Sequence, residues 1–364
     1  MKSDLSVQLS EQIIQAYADK SPLRIVAGNS KAFYGNHVEA DTLDVSGHSG
    51  ILSYEPTELV ITARAGTLLS DVERLLEQNG QVLPFEPPAF ADSATLGGTI
   101  ACNLSGPARA YTGAARDFLL GCRIINGSGE ILHFGGEVMK NVAGYDVSRL
   151  MAGSMGTLGV LLEVSLKVLP KAETETTLQL PVSAPEALER IHSLSQSPLP
   201  ITASSHHDSC LNIRLSGSGD AVKTAADIIG GETMPDAESY WHKLKEHQLD
   251  FFDNQLPLWR LSLASDSPPG LEGLNESSRL LYEWGGALRW VTGTTDSDSL
   301  RRSTADAGGH ATLFRKAEDT AATQAIFQPL SPGLLRIHRN LKQAFDPKGI
   351  LNPGKLYPEL DTQV

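Results

Sequence analysis

The sequence has no excess of positive charge and no long apolar run. Its 30 Lys and Arg residues are outnumbered by 43 Asp and Glu residues, which gives a formal net charge of −13. Because nucleic-acid binding requires a basic surface, this balance argues against nucleic acid as a partner. No apolar run approaches the roughly 20 residues that span a bilayer. The polar start MKSDLSVQLSEQ also lacks the apolar core of a signal peptide. We therefore expect a cytoplasmic protein without a membrane span of its own.

Cysteines are few as well. Cys102, Cys122 and Cys210 are an odd number and lack the spacing of a metal site or an iron–sulfur cluster. Such usage is typical of reduced thiols in a reducing compartment. We interpret each as a small buried hydrophobe rather than a reactive thiol.

Two nucleotide-binding fingerprints are missing: a G-x-G-x-x-G turn after an opening strand and a G-x-x-x-x-G-K-[ST] loop. A nicotinamide-binding Rossmann domain and a P-loop NTPase are thereby disfavoured. The first half instead has three small-residue stretches: VAGNSKAFYG (26–35), ATLGGTIACNLSGP (94–107) and AGSMGTLGV (152–160). Where side chains are small, successive main-chain N–H groups approach and bind an anion. Tight turns explain any one stretch, but three together favour a phosphorylated cofactor.

Sequence patterning divides the chain into three parts. Residues 1–172 alternate short apolar runs with small-residue turns, which predicts strands and, between ELVITARAG and QVLPF, one helix. Residues 173–330 mix helical stretches such as PEALERIHSLSQ with strands such as CLNIRLSG, which indicates an α+β second domain. Residues 331–364 begin with a helix that Ser331 caps and Pro347 ends. We expect the inward face of this helix to consist of Leu334, Leu335, His338, Leu341 and Phe345.

Six stretches, in this order and spacing, resemble the vanillyl-alcohol-oxidase-type flavoprotein superfamily with its PCMH-type FAD-binding domain. They are VAGNSK, the run from PTELVITARAG to LPFEPP, ATLGGTIACNLSGP, RDFLLGCRIINGSGEILHFGG, the run from KNVAGYDV to LKVLP, and FDPKGILNPGKLY. The resemblance implies an α+β fold in which two subdomains clasp FAD and an α+β cap domain covers the flavin. It also implies that the C-terminal segment returns to the FAD domain. The stretches WGGALRW and AGGHAT further resemble the FAD-binding subunits of bacterial glycolate oxidases.

The same resemblance assigns FAD to residues of four places in the chain. The first loop supplies Ala27, Gly28, Asn29, Ser30 and Lys31, and the second small-residue wall with its continuing loop supplies Thr95, Leu96, Gly97, Gly98, Cys102, Asn103, Gly106 and Gly113. The third stretch supplies Gly153, Gly156, Gly159 and Val160, and the C-terminal tail supplies Asn352 and Lys355. Some relatives attach the flavin covalently through a histidine in the first loop. Because this chain has Asn29 there, we expect noncovalent FAD. If GGTIACNL opens a helix, its first N–H groups should also face the pyrophosphate.

Residues for catalysis carry a weaker signal. Oxidation of a 2-hydroxy acid needs a base for the hydroxyl proton and a cation for the carboxylate. His310, next to two glycines, is the candidate base. Arg289 is the candidate cation, although packing between Trp284 and Trp290 explains it equally well.

No metal site is expected. Relatives that oxidise D-2-hydroxy acids have a G-H-x-G-D-G-N-x-H-like stretch in the cap domain, and this sequence has none. His206 and His207 are adjacent and would face opposite sides of a strand, whereas His242 and His247 lack the i, i+4 spacing of paired helical ligands.

The leading hypothesis is an FAD-bearing subunit of a multi-subunit glycolate oxidase. The resemblance implies two partners, a catalytic subunit that contains FAD and metal and an iron–sulfur subunit, and any membrane association would come through them. Because this chain has no Fe–S cysteine cluster, its electrons would leave through another polypeptide or a diffusible acceptor. Two alternatives stay open. One is a self-sufficient FAD-dependent 2-hydroxy-acid dehydrogenase that uses His310 and Arg289, and the other is an assembly subunit with a degenerate flavin site.

Overall fold

The computed structural model describes residues 3–136, 145–252, 255–293, 296–317 and 324–361, so residues 140–144 of the motif that begins KNVAG lie outside the described part. The first elements in chain order are α1 (Ser6–Asp19), β1 (Leu23–Val26), β2 (Asp41–Asp44), β3 (Ile51–Glu55), β4 (Val60–Arg64), α2 (Leu69–Glu77), β5 (Gln81–Val82), α3 (Leu96–Cys102), α4 (Arg109–Thr112), β6 (Leu119–Ile125), β7 (Ile131–Gly135), α5 (Val147–Met151), β8 (Val160–Lys167) and β9 (Leu169–Pro170). They are followed by β10 (Thr174–Pro181), α6 (Ala184–Ser195), β11 (Ile201–His207), β12 (Cys210–Gly217), α7 (Gly219–Ile229), β13 (Glu232–Thr233), α8 (Ala237–Lys245), β14 (Leu258–Ser262), β15 (Arg279–Glu283), β16 (Leu288–Thr292), α9 (Ser297–Asp306), β17 (His310–Arg315) and α10 (Pro332–Phe345). The α+β class is confirmed.

Internal packing divides the chain into two compact units. The first unit consists of Met1–Ser105, Ala114–Lys171 and Pro329–Val364. The second consists of Gly106–Gly113 and Ala172–Gln328. No helix in the described part of the chain is long and apolar enough to cross a membrane.

The first unit is built on a five-stranded antiparallel sheet with the order β3-β4-β8-β6-β7. Its central strand β8 is buried at six of eight positions, whereas the edge strand β7 alternates exposed and half-buried side chains. This difference is expected because a central strand is covered on both faces. A second, smaller core joins α1 and the parallel pair β1–β2 through Leu9, Ile13 and Leu43.

The C-terminal segment belongs to this first unit. The Leu23 N–H donates to Ile350 O at 2.7 Å, and the Asn352 N–H donates to Leu23 O at 2.9 Å. On the predicted inward face of α10, Leu341 and Phe345 pack against the core, but Leu334 is 49% exposed, so the prediction is wrong for Leu334. The most buried side chain of α10 is Lys342, a charged residue that an apolar pattern does not reveal.

Lys342 can be buried because its ammonium group has three hydrogen-bond acceptors. It donates to Thr157 O at 3.0 Å, to Leu351 O at 2.8 Å and to the Asp346 carboxylate at 2.8 Å. Asp346 in turn accepts the N–H groups of Ile350 and Leu351. A buried ion pair is tolerated when its remaining hydrogen bonds are satisfied.

The second unit contains an eight-stranded antiparallel sheet with the order β13-β10-β12-β11-β15-β16-β14-β17. Helices α6 and α7 cover one core on this sheet, which includes Ile191, Ile213 and Val222. A second core lies under α9 and includes Trp259 and Leu300.

Candidate functional site

The three small-residue stretches line one cavity of about 280 Å³ in the first unit, together with the C-terminal tail. The predicted residues that it brings together are Ala27, Gly28, Asn29, Ser30, Lys31, Thr95, Gly97, Gly98, Cys102, Gly156, Gly159, Val160, Asn352 and Lys355. Segments far apart in sequence therefore meet around one space.

The first segment follows β1 and supplies main-chain donors. Within the described residues, the N–H groups of Gly28, Asn29 and Ser30 donate to no protein acceptor. Asn29 adopts a left-handed conformation with φ of 57°, which turns successive N–H groups toward a common point. A Cβ at Gly28 would lie 1.5 Å from Ser93 O, so only glycine fits this turn. The segment therefore has unused main-chain donors at the place where the sequence predicts an anion nest.

The second segment serves as a wall. Thr95 caps α3 by accepting the Gly98 N–H at 3.3 Å, while the Leu96 and Gly97 N–H groups donate to Thr67 O and Ala65 O. The expectation that these N–H groups face the pyrophosphate is therefore wrong, because protein acceptors already use them. A Cβ at Gly98 would meet nothing within 4 Å except Thr95 Oγ1 at 3.2 Å. Gly98 thus lines the cavity with bare backbone.

The third segment contacts the tail. Gly156 has a φ of +73°, and a Cβ there would lie 2.8 Å from Asn352 Nδ2 and 2.9 Å from Ile25 Cδ1. A larger side chain at Gly156 would push these two neighbours apart. The third segment and the tail therefore fit each other closely at the cavity wall.

The charge of the cavity is opposite to that of the chain. Arg24, Lys31 and Lys355 line it, and no Asp or Glu is among the described residues around it. Burial lowers the pKa of Lys355, and the charge of Arg24 lowers it further. Burial raises the pKa of the Cys102 thiol, which keeps it protonated and fits a wall residue. A cavity lined by these cationic side chains can hold an anion even in an acidic protein.

Sequence reasoning missed part of this lining. Arg24 and His37 line the cavity but are not among the residues predicted to contact FAD, and the same holds for the apolar residues Val38, Val45 and Leu161. Arg24 sits on strand β1 just before the first segment.

Five predicted residues do not line this cavity: Leu96, Asn103, Gly106, Gly113 and Gly153. Leu96 is fully buried in the core. Asn103 ends α3 in a left-handed conformation, its side chain accepts the Arg116 N–H at 3.2 Å, and Gly153 packs against it. Gly106 and Gly113 belong to the second unit. Their assignment to FAD is thus without support from the cavity.

The two catalytic candidates do not form a pair. Across the second unit's sheet, Arg289 of β16 and Ala311 of β17 both stand opposite Leu261, whereas His310 stands opposite Ser262. Because successive side chains on a strand alternate faces, Arg289 and His310 project to opposite sides.

Arg289 is also used within the fold. Its side chain is fully buried and donates to the carbonyl groups of Ser267, Pro268, Pro269 and Gly286. It lies over the ring of Tyr282 at 5.4 Å, not between the two tryptophans. His310 begins β17 at an exposed position, where partial desolvation and the charge of Arg260 lower its pKa.

Three further histidines of the second unit make contacts within the fold. His206 is buried and contacts Val182 O at 2.9 Å, while His207 stacks on Tyr240. His247 stacks on Phe252, and burial lowers its pKa to about 3. The described residues contain no group of three or more His, Cys, Asp or Glu residues placed to hold a metal ion.

Comparisons with known proteins agree with this geometry. A family model described as FAD binding domain matches residues 7–135, and one described as FAD linked oxidases, C-terminal domain, matches residues 321–356. The chain is 49% identical over 357 residues to the Escherichia coli protein named glycolate oxidase subunit GlcE, covering 98% of this chain and 99% of that protein.

Two further likenesses are more distant. The Bacillus subtilis glycolate oxidase subunit GlcD is 38% identical over 128 residues, which cover 35% of this chain and 27% of GlcD. Among solved structures, alkyldihydroxyacetonephosphate synthase matches with a TM-score of 0.64 and 17% identity, over 95% of this chain and 74% of the synthase chain. The latter likeness concerns the fold.

Proposed function

The chain belongs to the GlcE family of FAD-linked glycolate oxidase subunits and is an FAD-dependent oxidoreductase of hydroxy acids, and from this premise we propose a more specific role. It is the FAD-bearing, electron-handling subunit of a multi-subunit enzyme that oxidises glycolate, and related D-2-hydroxy acids, with glyoxylate as the product from glycolate. Residues 1–172 and 331–364 form the FAD domain, and residues 173–330 form the cap domain.

One observation carries this proposal, the cavity with three cations and no described carboxylate in a chain of net charge −13. The N–H groups of Gly28, Asn29 and Ser30, with Lys31 and Lys355, would hold the diphosphate. The bare wall at Gly98 and the apolar side chains of the lining would accept the flat parts of the nucleotide. These donors fit an anionic dinucleotide and argue against a degenerate site.

When bound, FAD supplies an acceptor for two electrons and releases them to a further carrier. The protein's own contribution is to bind and orient. Lys31 and Lys355 offset the negative charge of the diphosphate, and the small residues let the backbone approach it. Because Asn29 offers no nucleophilic imidazole, FAD is held noncovalently.

The partners follow from what this chain lacks. With Arg289 bound to carbonyl groups and His310 on the opposite face, the second unit does not pair a base with a carboxylate anchor at these two positions. This placement agrees with catalysis on a partner subunit. The family resemblance implies that this partner contains FAD and metal and that an iron–sulfur subunit takes up the electrons. Any membrane association comes through them, and the chain itself is cytoplasmic.

The test compares the full chain produced alone with the chain co-produced with its partner subunits. Alone, it should bind FAD stoichiometrically, release the yellow colour into the supernatant on acid precipitation, and keep an oxidised flavin spectrum when glycolate is added. With its partners, glycolate should bleach the flavin. Bleaching of the isolated chain would instead support a self-sufficient dehydrogenase, and absence of bound FAD would support an assembly subunit.

A further inference from the structure

The side chain of Asn352 joins strand β1, next to the first segment of the cavity, to the third segment. Its Oδ1 accepts the Ile25 N–H at 2.8 Å, and its Nδ2 donates to Met155 O at 2.7 Å. The residue is 6% exposed, and its own N–H donates to Leu23 O. One amide group therefore connects strand β1, just before the anion nest, with the turn before Gly156.

The partners also fix the orientation of this amide. A flipped side chain would place the NH₂ group against the Ile25 N–H and the oxygen against Met155 O, which are two repulsive contacts. Gly156 packs closely against this amide, because a Cβ at Gly156 would lie only 2.8 Å from Asn352 Nδ2. The distance between the two segments is thus set by one side chain in one orientation.

We infer that Asn352 is a positioning residue for the cofactor, which holds the anion nest and the third segment at the spacing that FAD requires rather than serving chiefly as an FAD ligand. This inference rests on the proposed assignment of the cavity to FAD. The protein groups already take its acceptor atom and one of its donor hydrogens, so its role is exerted through Ile25 and Met155.

The Asn352→Asp variant tests this because a protonated carboxyl group copies the amide. Burial and the facing Met155 carbonyl oxygen should raise the pKa of this carboxyl well above its ordinary value of about 3.9. At pH 5 its carbonyl oxygen then accepts the Ile25 N–H and its hydroxyl donates to Met155 O. Once ionised, the carboxylate has no proton for Met155 O and repels it. We expect FAD affinity close to wild type at pH 5 and roughly 10- to 100-fold weaker at pH 8, measured by flavin fluorescence on reconstitution of the full-length apoprotein.

Amide hydrogen exchange of the apoprotein distinguishes positioning from direct contact. Around Ile25, protection should fall in Asn352→Asp at pH 8 relative to wild type, after correction for the intrinsic pH dependence of exchange, and recover at pH 5. The loss occurs without any FAD present. A residue that only contacts FAD would leave the apoprotein's exchange unchanged.

The matched control is Asn36→Asp. Asn36 also binds the tail, through Gly354 O at 3.0 Å and Leu356 O at 3.1 Å, but it does not line the cavity. Its FAD affinity relative to wild type should not depend on pH in this way. If Asn352→Asp does not fold at pH 8, Asn352→Ala replaces it, and its FAD affinity should fall at both pH values.

Two results would overturn the inference: pH-independent, wild-type FAD affinity of Asn352→Asp, or unchanged exchange around Ile25 with weakened binding. Failure of the wild-type apoprotein to bind FAD would refute the proposed function instead.

Discussion

Replacing Gly98 by valine should separate cofactor binding from folding. A Cβ at this position points into the cavity, and its nearest neighbour is Thr95 Oγ1 at 3.2 Å. Overfilling a well-fitted site costs about 1–3 kcal/mol, which corresponds to a loss of about 5- to 150-fold in FAD affinity. The helix itself gains a few tenths of a kcal/mol, because valine is a better helix former than glycine. FAD affinity should thus fall while the apoprotein stays as stable as wild type.

Titration of the apoprotein with FAD, followed by flavin fluorescence, measures the first effect, and thermal unfolding without FAD measures the second. Gly333→Val is the matched control, because Gly333 also lies in a helix and a Cβ there meets nothing within 4 Å. The reasoning fails if Gly98→Val binds FAD as tightly as Gly333→Val. Gly97 is unsuitable for this test, since a Cβ there would lie 2.5 Å from Ala65 Cβ and disturb the fold.

Two further predictions concern buried charge. Lys342→Met should lower the free energy of unfolding by about 3 kcal/mol in urea denaturation, because it leaves the buried Asp346 carboxylate without its cation. The control Lys348→Met loses one hydrogen bond to Tyr17 O and should lower it by about 1 kcal/mol or less. Equal losses in the two variants would contradict this prediction. His247 has a folded-state pKa of about 3, below its unfolded value, so the unfolded chain binds the proton more readily and stability is lost as pH falls from about 6.5 toward 3. In His247→Phe the unfolding free energy should therefore decrease by about 3 kcal/mol less between pH 7 and pH 4 than it does in the wild type. An equal decrease in the two proteins would refute this prediction.

The small-residue stretches could be interpreted before the fold was known because their signal is local. Gly28 and Gly156 have backbone positions where a side chain does not fit, and the sequence shows this requirement as a glycine at each position. The three stretches by themselves favoured a phosphorylated cofactor, and the resemblance of six stretches to a flavoprotein superfamily implied that it is FAD. The prediction of α10 was correct in extent but wrong for Leu334, because its buried side includes a lysine with three acceptors.

The catalytic candidates show why other features could not be predicted. Whether Arg289 and His310 share a face depends on how β14, β16 and β17 pair, and a shift of one residue in register reverses the answer. Without knowledge of the register, the sequence allows the two side chains to lie on the same face or on opposite faces of the sheet.

By itself the sequence determined the α+β class and the small-residue segments that suit a phosphorylated cofactor, since each depends on residue size or on patterns between near neighbours, while its resemblance to a flavoprotein superfamily implied FAD. Only the tertiary structure decided which N–H groups remain available, that Arg24 joins Lys31 and Lys355 at the cavity, and that Asn352 connects two of its walls. These properties arise from contacts between residues far apart in the chain, and such contacts exist only once the strands have paired and the tail has packed against β1.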